Sequence, residues 1–317
     1  MTNASAFHFE SLVWDWPIAI YLFLIGISAG LVTLSILLRR YHPEAGGADS
    51  TLLRTTLVVG PGAIILGLLI LIFHLTRPWT FWKLMFHYSF TSVMSMGVLL
   101  FQLYMVVLIL WLAIIFQKEV MALQQRWFPR LGLVQKVLTL LTPFNRGLET
   151  LMLVLAVLLG AYTGFLLSVL KSYPFLNNPI LPVLFLFSGI SSGAAVALIA
   201  MALRQRGNPH STEAHFIHRV ETPVVWLEIF LLAAFFVGLA LGDDAKCARC
   251  RRHWVWLLDL VVLARRRGAG LIVPMLLKPW ANRGSTFHGV LAVCGASLTG
   301  VLLLRFFILY AGQLTVA

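Results

Sequence analysis

Four short stretches of this 317-residue protein carry side chains able to move protons or to hold a polar ring. Trp14 and Trp16 bracket Asp15, and Tyr21 follows in the same apolar run, WDWPIAIYLFLIGISAG. FHLTRPW holds His74 and Arg77, GAYTGFLL holds Tyr162, and WLEIFLL holds Glu228. A carboxylate or an imidazole can accept a proton, while phenols and a guanidinium hydrogen-bond ring oxygens. Such a set suits a carrier with two oxygens and two removable protons, that is, a quinol, with His74 or Asp15 taking the protons. Each member alone also has an ordinary explanation. Tyr162 fits a hydrogen-bonded core tyrosine, Arg77 a snorkelling arginine, and Trp16, Asp15 and Tyr21 an interfacial belt. Glu228 is a carboxylate inside an apolar run and hence a candidate for a proton path.

The elements that must position these groups are membrane helices. With 60% hydrophobic and 11% charged residues and a mean hydropathy of +0.89, the chain has too little polar surface to coat a water-soluble globule. Apolar runs at 17–38, 55–75, 90–116, 148–170, 180–203, 222–241, 254–277 and 287–312 predict an all-α, polytopic protein with eight spans. A barrel would instead show short alternating segments. Pro17 suits a first helical turn, and no charge follows until after Leu38, which is long enough to cross about 30 Å of hydrocarbon.

Residues 1–16 contain no Lys or Arg, whereas Arg39, Arg40 and Arg54 follow the first span, so the positive-inside bias predicts an outer N-terminus. With eight spans the C-terminus is outside as well. The net charge of +12 then reads as an orientation signal spread over short loops, and argues against nucleic acid as a partner. On this topology Asp15, Trp16, Tyr21, His74, Arg77 and Tyr162 collect at the outer ends of the first four spans. Gly160 and Gly164, flanking Tyr162, are expected to leave room for a flat ring. By helical rise Glu228 sits roughly 9 Å and Arg305 roughly 27 Å from the inner face, which predicts that they do not pair.

Gly-Ile-Ser-small-Gly occurs at 26–30 and again at 189–193, each time in an apolar span. The repeat predicts a duplicated four-helix unit: residues 1–170 with the polar outer layer, and 171–317. Glycines four apart let another helix backbone approach closely. The inner connection 117–147 has the charge pattern of a solvated or headgroup-facing segment, and Ser172 to Pro182 reads as a fixed outer turn, either a docking surface or a connector.

Lys246 to Arg267 does not fit its surroundings. Six arginines and two of the three cysteines fall in this stretch, and a span at 254–277 would carry Asp259 and three consecutive arginines, each charge costing about 2.5–3.5 kcal/mol at mid-depth. The expectation is that 246–267 is read in a shifted frame or is otherwise untypical of its kind, an ordinary apolar seventh span standing there in the parent sequence. Cys247 and Cys250 with His253 make half a metal motif without its second half, so no metal site is predicted. Cys294 is expected to be a small core residue. A membrane b-type haem needs paired histidines on facing helices, but the histidines fall in loops, flanks or span ends, so no haem is expected either.

Taken together, WDWPIAIYLFLIGISAG, FHLTRPWTFWKLM, SFTSVMSMG, GAYTGFLL and LFLFSGISSGAA resemble the NrfD/polysulfide-reductase membrane-subunit family, over nearly the whole sequence except 245–268. The resemblance implies a haem-free, menaquinol-oxidising subunit of two four-helix bundles in the bacterial inner membrane. It implies electron transfer to a periplasmic ferredoxin-like iron–sulfur subunit, then through multihaem cytochromes c to nitrite. The tyrosine of the Tyr-Thr-Gly motif corresponds to Tyr162, a ligand for a quinone oxygen. Ile18 and Tyr21 stand where the polysulfide-reductase type has Asn and His, which moves the expected proton acceptor to His74, with Asp15 as relay. Tyr21 then serves as a second phenol and Arg77 holds the polar end of the site. The competing readings are a solute or proton transporter, which would place its polar groups at mid-bilayer, and a purely structural anchor for a redox complex.

Overall fold

The structure is a computed structural model that describes residues 16–74, 79, 81–90, 92–127, 138–170, 173, 175–204, 212–240 and 287–314. Its long helices are α1 (Trp16–Tyr41), α2 (Thr51–His74), α4 (Val93–Ile115), α6 (Asn145–Ser168), α7 (Ile180–Arg204), α8 (Thr212–Ala240) and α9 (Phe287–Leu314). Two short helices, α3 (Phe81–Phe86) and α5 (Gln117–Trp127), lie between them. No strand occurs among the described residues, and seven helices are long and apolar enough to cross a membrane. The protein is therefore an all-α, multi-pass membrane protein. The expected span at 254–277 and the stretch 246–267 lie outside the described residues.

Helix α1 runs through the middle. Most of its residues are buried, and it packs against α2, α6, α7 and α9. By contrast α2 turns Leu57, Val58, Ile65, Leu66, Leu69 and Phe73 outward, as a helix facing lipid must. Polar side chains on α1 are matched rather than left bare in the apolar interior. Ser28 Oγ lies 3.1 Å from Tyr104 Oη, Ser35 Oγ lies 2.7 Å from Thr56 Oγ1, and Arg39 Nε donates to Glu149 at 2.7 Å. Each such bond between membrane helices contributes about 0.6 kcal/mol on average.

The two Gly-Ile-Ser-small-Gly motifs meet face to face. A Cβ at Gly193 would lie 2.6 Å from Gly30 C and 2.6 Å from Leu31 N, and one at Gly189 would lie 3.2 Å from Gly26 Cα. Position 26 thus faces 189 and position 30 faces 193, so α1 and α7 cross in parallel with backbone against backbone. Only glycine permits this approach.

The sixth expected span, 222–241, is corrected at its start, because α8 begins at Thr212. Its polar first turns bury Ala214, Phe216 and Ile217 while His215 and Arg219 stay exposed, an amphipathic extension that hydropathy alone does not register. Glu213 on this extension accepts hydrogen bonds from Thr51 N (3.1 Å) and Leu52 N (3.3 Å), capping α2 from the other half of the sequence. The turn within 172–182 is a connector, since Phe175 and Leu176 are buried and Phe175 packs edge-on against Phe235 at 5.4 Å. Cys294 is buried in the core, as expected.

Candidate functional site

At the Trp16 end of the bundle, α1 and α4 begin while α2 and α6 finish. Tyr21 is five residues inside α1 and Tyr162 six residues from the end of α6, so both lie about 8–9 Å below the helix ends. The two rings meet on a common neighbour. Tyr21 packs on Phe101 with centroids 5.9 Å apart, and Phe101 meets Tyr162 edge-on at 6.1 Å and 88°. Tyr21 and Phe101 are buried, while Tyr162 is partly open. The Tyr162 hydroxyl donates to the carbonyl of Val93 at 3.3 Å, in the first turn of α4.

Around this pair the other expected members divide. Trp16 is 48% exposed at the start of α1, where an indole belongs at the edge of hydrocarbon. His74 is the last residue of α2 and is exposed. It stands seven residues beyond Gly67, which faces the Tyr21 ring at 3.5 Å, and so about 10 Å further along the helix. A tyrosine pair thus sits in the apolar layer with an imidazole above it at the rim. Asp15 and Arg77 lie outside the described residues.

The room expected beside Gly160 and Gly164 is filled, and that expectation is corrected. A Cβ at Gly164 would lie 2.6 Å from Leu181 C and 2.6 Å from Pro182 Cα, and one at Gly160 would lie 2.8 Å from Leu186 Cδ1. These glycines admit helix α7, not a ligand. The space beside Tyr162 is made on the opposite side by Gly97 of α4, whose absent side chain leaves the position of the phenol clear. Nothing in the local sequence distinguishes Gly97 or Phe101 as site residues; their roles arise from the pairing of α4 with α6.

Glu228 is not part of this layer. It is buried in α8. Arg305 of α9, expected in the outer layer, stands lower, and the reason is axial. The rings of His42 and Phe216 touch at 5.7 Å, which fixes the level of α8 against α1. Counting from there, Glu228 rises about 18 Å and Gly26 about 24 Å. Arg305 belongs at the level of Gly26, where a Cβ would lie 2.8 Å from its Nη2. Arg305 is therefore at mid-depth and not in the outer layer. It is fully buried, its guanidinium sits 4.4 Å over the Phe185 ring, and Nη2 donates to Phe185 O (3.3 Å) and Ser188 Oγ (3.1 Å).

Comparison with known proteins spans the same length of sequence. Residues 4–317 match the family described as "Polysulphide reductase, NrfD". The sequence is 80% identical to Protein NrfD of Escherichia coli over 100% of both proteins. It is 44% identical to the Protein NrfD homolog of Haemophilus influenzae, covering 98% of each. It is 37% identical to the C subunit of polysulfide reductase from Wolinella succinogenes, covering 96% of each.

Proposed function

This chain belongs to the NrfD polysulphide reductase family, and on that premise we propose that it is a haem-free, menaquinol-oxidising membrane subunit of a multi-protein oxidoreductase. The observation that carries the reading is the tyrosine pair: two phenols from different helices converge on Phe101 beneath the Trp16 end of the bundle. Oxidation of a quinol releases two protons and two electrons, so a site must hold the ring, accept protons and hand electrons on. Tyr162 and Tyr21 hold the ring oxygens, Tyr162 being the more open of the two. His74, exposed at the rim, takes the protons to water, with Asp15 as relay and Arg77 and Trp16 closing the polar end. Glu228, buried in α8, is the candidate for a separate proton path.

The electrons leave through a partner. In this reading the subunit sits in the bacterial inner membrane with both termini and the quinol site toward the periplasm. It reduces a periplasmic ferredoxin-like iron–sulfur subunit, which passes electrons through multihaem cytochromes c to nitrite. The haem-free reading rests on the sequence, whose histidines fall in loops, flanks or span ends.

The test is quinol-dependent reduction of the iron–sulfur partner in membranes carrying the assembled complex. Loss of one hydrogen bond to the quinol in Tyr162→Phe lowers the rate about tenfold. Loss of the proton acceptor in His74→Ala lowers it about a hundredfold. Unchanged rates in both variants leave a structural anchor as the role and end the quinol reading.

A further inference from the structure

The face of α4 beneath Tyr162 is built from three residues spaced four apart. Val93 supplies the carbonyl that accepts the phenol hydroxyl, and Phe101 supplies the ring that meets the phenol edge-on. Gly97 lies between them. A Cβ there would stand 2.8 Å from Tyr162 Cε1 and closer still to its Cζ and Oη. Any side chain at 97 therefore claims the volume the phenol occupies. Within a membrane helix a glycine also forgoes the side-chain packing that every other residue offers, so its presence calls for a compensating fit.

We propose that Gly97 is the positioning residue for Tyr162: its missing side chain is the notch that seats the phenol at the depth and angle needed to hold a quinol oxygen. The inference rests on the quinol reading of the site and adds to it the residue that sets where the tyrosine stands. Gly97 itself touches no substrate. It acts through the ring of Tyr162, which a Cβ would drive away from Val93 O and off the edge of Phe101. The Tyr21 ring is packed on the same Phe101, so a shifted Tyr162 alters the spacing of both phenols.

Two measurements test this, namely quinol oxidation kinetics of the membrane-embedded complex and thermal melting of the purified complex. Gly97→Ala should lower kcat/KM about as far as Tyr162→Phe does, near tenfold, and should lower the melting temperature. In a Tyr162→Leu background, where the ring is gone, Gly97→Ala should change neither quantity by more than the Gly62→Ala control, since nothing lies within 4 Å of a Cβ at Gly62. An undiminished effect of Gly97→Ala in the Tyr162→Leu background overturns the proposal, because the glycine then acts through something else. Full activity of Gly97→Ala beside an impaired Tyr162→Phe overturns it as well. Should Tyr162→Phe oxidise quinol at full rate, the reading of the site has failed, and the melting cycle alone then decides whether Gly97 seats the ring.

Discussion

Replacing Gly193 by alanine tests the crossing of α1 and α7 on which the interior is built. The new methyl group would lie 2.6 Å from Gly30 C, 2.6 Å from Leu31 N and 2.9 Å from Gly30 Cα. Carbon atoms in van der Waals contact stay about 3.5–4.0 Å apart, so the helices must separate by about 1 Å at this point. All three obstacles are backbone, and no rotamer change removes them. A gap of that size forfeits a quarter to a half of the dispersion energy of the contacts it opens, and overpacked sites of this kind cost about 1–3 kcal/mol. The penalty extends beyond the motif, because Arg305 Nη2 is held by Phe185 O and Ser188 Oγ of α7 while lying against Gly26 of α1. Thermal or denaturant unfolding in detergent micelles reads the loss directly. Gly62→Ala and Gly295→Ala serve as controls, since a Cβ at either meets nothing within 4 Å. If Gly193→Ala unfolds together with these controls, the helices do not cross backbone against backbone and the reasoning is refuted.

Glu213→Ala removes the carboxylate that accepts the Thr51 and Leu52 amides at the start of α2. The expected loss is about 1 kcal/mol of stability, with faster hydrogen exchange at those two amides and unchanged exchange near Gly97. For residues 246–267, the coding DNA read in an alternative frame should give an apolar, glycine-containing span in place of the arginine-rich one; if neither frame does so, the shift is excluded.

Much of the fold is legible in the sequence because hydrocarbon leaves little choice: uncharged runs such as Pro17 to Leu38 satisfy their own backbone as helices and nothing else. The paired glycines at 26–30 and 189–193 also reveal their use, since spacing by four on an apolar helix serves close approach. Tyr21 and Tyr162 come together as their depths suggest. What the sequence hides is which face meets which neighbour. Gly160 and Gly164 look like the walls of a ring slot but receive Leu186, Leu181 and Pro182, while Gly97, at the end of SFTSVMSMG, clears the place for Tyr162. Depth is equally hard to read where a helix continues past its apolar part. The extension from Thr212 places Glu228 sixteen residues, about 24 Å, along α8.

The seat of Arg305 carries a consequence for biogenesis. Left alone in lipid, an arginine at the bilayer centre costs about 2.5–3.5 kcal/mol, which opposes release of the last helix from the translocon. The groups that accept its hydrogen bonds were synthesised 120 and 117 residues earlier, at Phe185 and Ser188. Helix α7, made first, thus offers α9 the acceptors that offset this cost, so the order of synthesis along the sequence suits the side chain that arrives later.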